Sequence, residues 1–144
     1  MKKSRSKLWI GRFLIGWVLF TNLQCAILFI LFPGRFVQGF EMTGVSGEAA
    51  VRGIGILFAM WNVPYCLAIL QPQKFRLSLI EAVIMQGIGF VGETTLLMSF
   101  PQGHLFIRET VNRFILFDGS GLILLLLSVW ITQDKVKLVN NHPI

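Results

Sequence analysis

Four long apolar runs divide this chain, and they constrain its fold more than any motif does. Leu8–Phe32 is the first, and Pro33-Gly34 ends it. The second covers about 48–70 and closes at Gln71-Pro72-Gln73. The third covers about 77–100 and ends at Pro101-Gln-Gly-His104; the fourth covers about 105–132. A helix needs about 20 apolar residues to cross the hydrocarbon core of a bilayer, and each run is long enough. In lipid only helices and closed barrels satisfy every backbone polar group. The reading is therefore an all-α membrane protein, residues 1–144 forming one integral membrane domain. It is expected to be an antiparallel bundle of four transmembrane helices.

Composition agrees. Hydrophobic residues make up 54% and charged residues 14% of the 144, against about 25% charge in soluble domains. The net charge of +6 is not a nucleic-acid patch, because the lysines lie outside the apolar runs rather than on a foldable polar surface. They read as topology charges. The N-terminus, the loop between spans two and three and the tail hold Lys2, Lys3, Arg5, Lys7, Lys74, Arg76, Lys135 and Lys137. The loop between spans one and two holds Arg35 alone, and that between spans three and four holds none. The positive-inside rule then predicts both termini in the cytoplasm of a multi-pass cell-membrane protein. Leu8–Phe32 is too long for a signal peptide, Arg12 interrupts it and no small-residue cleavage site follows.

The last span begins with Arg108, Glu109, Asn112, Arg113 and Asp118 and continues as nearly pure hydrocarbon. Its polar half has to face other helices. In the second span Glu48, Arg52, Gly55, Ala59, Asn62 and Cys66 fall on one helical stripe, which is expected to face inward, since small and polar residues mark helix interfaces in membranes. Pro64, in Trp61-Asn-Val-Pro-Tyr65, is expected to kink this helix. In the third span Gln86 and Glu93 share a face, and Gly87, Gly89 and Gly92 would admit a close neighbour.

Two depth tiers result. Glu48, Arg52, Glu93, Arg108, Glu109, Asn112 and Arg113 form the outer one, with Asn22 and Gln24 from the first span. Arg12, Asn62, Glu81, Gln86 and Asp118 form the inner one. A charge at mid-bilayer costs about 3 kcal/mol on insertion scales, so most of these charges should be paired or wetted. Glu48-x-x-x-Arg52-x-Ile54 and Glu109-x-x-x-Arg113-x-Ile115 echo each other. Glu four residues before Arg favours a helical pair, and the echo points to two tandem helical hairpins.

Two readings of the outer tier stand side by side. In one, the charges only pair and fix the bundle. In the other, Arg52, Glu93, Arg108, Asn112 and Arg113 line an outward-facing pocket between spans two, three and four. Such a pocket suits a lipid-like or quinone-like amphipathic ligand, or a small solute. Glu48, Glu109, Asp118, Arg12 and Glu81 are pairing or proton-accepting residues; Asp118 has Arg12 or a backbone-derived bond as its expected partner, and Glu93 has Thr94 and Thr95. His104 reads as a solvated loop histidine, and His142 carries no role. Cys25 and Cys66 fall at different depths and read as unbridged packing residues.

No His/Cys/carboxylate set has metal-ligand spacing, and no P-loop, HExxH or nucleophile elbow is present. No cofactor, metal or catalytic residue is implied. Three functions follow: a ligand-binding or accessory membrane protein, a proton-coupled carrier acting as a homo-oligomer, or a structural subunit of a larger membrane complex. Membrane lipids are partners in each.

Four spans with both ends inside, Arg12 and Gly16 in the first and Arg52-Gly53 opening the second resemble the DoxX-like group of small four-helix membrane proteins. The resemblance covers the whole chain in layout. It implies the four-helix fold and, from some members, quinone-linked sulfur oxidation or thiol redox balance. Trp61–Tyr65 and Phe117–Gly121 have no counterpart in that pattern. The depths of the two cysteines do not suit a dithiol mechanism.

Overall fold

The computed structural model describes residues 2–133. Lys135, Lys137 and His142 lie outside the described residues. The chain forms α1 (Lys2–Leu31), α2 (Gly44–Trp61), α3 (Val63–Leu70), α4 (Arg76–Ser99) and α5 (Leu105–Ile131). Two 3-10 turns, Pro33–Arg35 and Val37–Phe40, fill the connection after α1. Four stretches are long and apolar enough to cross a membrane: Arg5–Leu31, Gly44–Leu70, Arg76–Ser99 and Leu105–Ile131. The outward surface is hydrocarbon, as in Leu116 and Phe13, 74% and 69% exposed; lipid is the solvent such a surface fits.

The second span is two helices. Pro64 has no N–H, so the helix cannot continue its ladder through that point. The Asn62 N–H turns back to Ala59 O at 3.2 Å. Phe58 O, which that N–H would have served in an unbroken helix, instead accepts the Asn62 side-chain amide at 2.6 Å. The break therefore fixes Asn62 as well as bending the chain. It has a second effect. Past the break, α3 packs on both α1 and α4, whereas before it α2 packs on α1 and makes no comparable interface with α4.

The buried core joins α1, α3, α4 and α5 through Ile15, Val18, Tyr65, Ala68, Leu79, Ala82 and Leu125. These come from the middle of α1, from α3, from the first turns of α4 and from the last third of α5. The other end is held by rings. Phe29 stacks within 6.2 Å of Phe36, Phe40, Phe58 and Phe114, linking α1, the connecting turns, α2 and α5. Between this aromatic hub and the core the bundle is hollow.

The inward stripe expected on the second span is displaced. Gly47, Val51, Gly55, Asn62, Tyr65 and Ala68 are buried, while Glu48, Arg52 and Cys66 are exposed. A stripe drawn through an unbroken helix ignores the change of phase at Asn62, and Glu48 and Arg52 lie on its edge rather than its centre.

Candidate functional site

The arginines do not converge on a common site. Arg12 Nε donates to Ile69 O at 2.8 Å, near the end of α3. Arg52 Nε donates to Ile30 O at 3.2 Å, near the end of α1. Arg76 donates to Val129 O at 3.2 Å, near the end of α5. Arg108 donates to Phe100 O at 3.2 Å and Leu97 O at 3.4 Å, at the end of α4. Each long span thus has its closing carbonyls met by an arginine of the span it adjoins. The last four carbonyls of a helix have no intrahelical donor, and that end carries partial negative charge. An arginine there satisfies both needs without desolvating a carboxylate. The expectation was that most intramembrane charges are paired or wetted; these arginines are met by backbone carbonyls instead of carboxylates. In particular, Arg12 is not the partner of Asp118.

Among the described residues two ion pairs form, and only one lies within a span. Arg113 meets Glu109 at 2.5 Å, with side chains 74% and 62% exposed. Its sequence echo, Glu48 with Arg52, does not pair; Arg52 is held by Ile30 instead. The other pair joins the loops. His104 Nδ1 lies 2.5 Å from Glu41 Oε2, and Glu41 Oε1 accepts the Ile107 N–H at 3.4 Å, in the first turn of α5. His104 is therefore tethered rather than merely solvated, and its hydrogen bond holds the Glu41 carboxyl below the usual glutamate range.

The hollow between core and aromatic hub is a cavity of about 190 Å³ walled by all four spans. From α1 come Asn22 and Cys25; from the second span Phe58, Trp61, Asn62 and Tyr65; from α4 Met85, Gln86 and Glu93; from α5 Arg113, Phe114, Phe117 and Asp118. The pocket was expected between spans two, three and four; the first span adds Asn22, already placed in the outer tier, and Cys25. Of the residues singled out as a ligand site, Glu93 and Arg113 reach this cavity. Arg52, Arg108 and Asn112 do not; Asn112 is exposed. Of the inner tier, Asn62, Gln86 and Asp118 are brought together, while Arg12 stands apart beside Trp9 and Glu81 is exposed.

A hydrogen-bonded chain lines the deep wall. Tyr65 OH donates to Gln86 Oε1 at 2.6 Å, and Gln86 Nε2 donates to Asp118 Oδ1 at 2.8 Å. Two glycines make room for it. A methyl group on Gly89 would overlap the Asp118 carboxylate, and one on Gly121 would come within 2.6 Å of Gln86 Nε2. Thr94 and Thr95, expected to serve Glu93, donate to Phe90 O and Val91 O of their own helix. Glu93 Oε2 and Asn62 Oδ1 are buried with no hydrogen-bond partner among the described residues.

Tyr65 was the residue that sequence reasoning passed over. It is the chain's single tyrosine and follows the helix-breaking proline, a signal that could have marked it. Cys25 lines the cavity and Cys66 is exposed; both are free thiols. No group of His, Cys, Asp and Glu among the described residues could hold a metal ion. No protein-family model matches this chain, and neither a curated protein nor a solved structure shows significant similarity to it.

Proposed function

We propose that the chain is a small multipass protein of the cell membrane whose intramembrane cavity binds an amphipathic, lipid-like or quinone-like ligand. One observation carries this reading: Asn62, 2% exposed, holds a carbonyl oxygen with no partner among the described residues in the wall of a space lined mainly by aromatic and apolar side chains. A buried polar atom without a partner costs about 1–3 kcal/mol. A bound polar group would remove that cost, while the apolar walls take the ligand's body. The weak seam between α2 and α4 supplies a route from the bilayer, and Trp61 stands beside it, 47% exposed.

In this proposal the spans run antiparallel with both termini cytoplasmic, as the placement of lysine and arginine supports. The packed core then lies toward the cytoplasm and the cavity toward the outer leaflet. Kinship with the DoxX-like group belongs to the same proposal and rests on Arg12, Gly16 and Arg52-Gly53.

The test is recovery of the ligand. Protein purified with its native membrane lipids should carry close to one molecule of a single amphipathic class per chain by native mass spectrometry. Cys25→Phe, which fills the cavity from α1, should lose it. A lipid complement identical in both proteins and equal to that of the bulk membrane would sink the reading.

A further inference from the structure

The hydrogen-bonding inventory of the cavity narrows the ligand's chemistry. Asn62, Tyr65 and Gln86 on its deep wall each have a donor engaged, and the Asn22 amide is a further polar group of the walls. The Asn62 amide N–H serves Phe58 O. The Tyr65 proton serves Gln86 Oε1, with Ala82 O at 3.2 Å as its other acceptor. The Gln86 amide serves Asp118. These bonds also fix both amides: a carbonyl oxygen turned toward Phe58 O would repel it, so Oδ1 is the atom of Asn62 left without a partner. Among the described residues the fully buried polar atoms left without a partner are two acceptors, Asn62 Oδ1 and Glu93 Oε2.

Charge points the same way. Glu93 and Asp118 both line the cavity, and among the described residues neither belongs to an ion pair. The other titratable groups on the walls are Cys25, Tyr65 and Arg113. Arg113 is engaged by Glu109 and is largely exposed, so the one wall cation is already answered and faces outward. Phe58, Trp61, Tyr65, Phe114 and Phe117 supply ring faces and edges around the same space. Aromatic faces attract cations, most strongly where water is excluded. A head that only accepts hydrogen bonds, such as a quinone carbonyl, could use the Asn22 amide but would leave both carboxylates unanswered.

We infer that the cavity takes a lipophilic amine: an apolar body carrying a protonated, hydrogen-bond-donating head, held by Glu93, Asp118, Asn62 Oδ1 and the surrounding rings. This rests on the reading of the cavity as an amphipathic ligand site and specifies which class of ligand occupies it.

The test uses four probes of similar tail length on the full chain in nanodiscs, scored against empty nanodiscs. Dodecylamine has charge and donors, dodecyltrimethylammonium has charge without donors, dodecanol has a donor without charge, and a decyl-substituted quinone has neither. The readout is Trp61 fluorescence in a protein carrying Trp9→Phe, Trp17→Phe and Trp130→Phe. Dodecylamine should bind at least about tenfold more tightly than each of the other three, the size of effect a desolvated charge interaction gives. Glu93→Gln or Asp118→Asn should lower amine affinity by about tenfold and leave dodecanol binding unchanged. Both variants keep the side-chain shape, and Asp118→Asn keeps an acceptor for Gln86. Circular dichroism and the elution profile confirm that they fold.

Equal binding of dodecanol and dodecylamine would overturn the charge requirement, and equal binding of the quaternary ion the donor requirement. Amine binding indifferent to both acidic variants would place the amine elsewhere. Binding of the quinone alone would overturn this inference and leave the amphipathic site standing. Binding of no probe would overturn both.

Discussion

Single side chains decide whether the cavity exists, and α4 shows this at three glycines. Gly87, Gly89 and Gly92 look equivalent in the sequence, each a small residue on a membrane helix. Their surroundings differ. A methyl on Gly89 would run into the Asp118 carboxylate, while nothing lies within 4 Å of one placed on Gly87 or Gly92. Gly89→Ala must therefore push Asp118 off Gln86 and break the chain that begins at Tyr65. Overpacking of this kind costs about 1–3 kcal/mol. Gly87→Ala and Gly92→Ala meet no obstacle and gain helix propensity, about 0.5–1 kcal/mol relative to glycine. Thermal midpoints of the three variants in one detergent check this: Gly89→Ala should fall and the other two should hold or rise. A Gly89→Ala protein as stable as wild type would mean that Asp118 is not held where it stands.

The four spans were legible in the sequence, with bounds off by at most six residues, at the start of α1; the polar contacts at their ends were not. The four spans follow from hydropathy alone, because lipid leaves a long apolar run one structure to adopt. The break at Pro64 was legible for the same kind of reason, a missing donor. Polar contacts between helices follow no such local rule. Arg52 and Glu48 stand four apart and could pair; that Arg52 reaches Ile30 O instead depends on where α1 stops. The same holds for Arg108, whose acceptors belong to the end of α4. These caps set the expected mutational pattern. Arg108 is half-buried and bonds two carbonyls that have no other donor in their helix. Charged hydrogen bonds are worth about 1.5–3 kcal/mol, so with partial exposure Arg108→Gln should cost about 1–2 kcal/mol. The exposed Arg113–Glu109 pair falls in the class worth about 0.2–1 kcal/mol, and Arg113→Gln should cost that or less. Urea unfolding in a mixed micelle ranks the two. If Arg113→Gln were the more damaging, the outer arginines would be acting as an ion-pair cluster after all.

At the scale of the whole molecule the fold is two helix pairs, α1 with α2–α3 and α4 with α5, joined at their two ends by different means. One end is sealed by the apolar core of α1, α3, α4 and α5, in which Tyr65 is the one ionisable side chain. The other is closed by the Phe29 hub and by the segment from Pro33 to Met42, which crosses from the first pair to α5. Thr110 Oγ1 fastens that segment to Gly39 O at 2.8 Å, and Glu41 fastens it to His104 and to the Ile107 N–H. Glu41 holds a left-handed backbone, φ 55, a conformation that a non-glycine residue keeps only when its surroundings require it. Its carboxylate supplies that requirement. The hydrogen bond from His104 is the first cause that lowers its pKa from the ordinary 4.5. A group whose pKa is lower folded than unfolded stabilises the fold above its unfolded value and loses that contribution as pH falls through the folded one. The fastening should therefore be complete above pH 4.5 and weaken progressively below it. Hydrogen exchange of the amides of residues 36–42 and 105–108 should accelerate together as pH is lowered through that range, after correction for intrinsic exchange rates, while amides around Leu79 and Leu125 stay protected. Glu41→Gln should show the accelerated pattern already at neutral pH. Unchanged protection in that variant would assign the closure of this end to Thr110 and the aromatic hub alone.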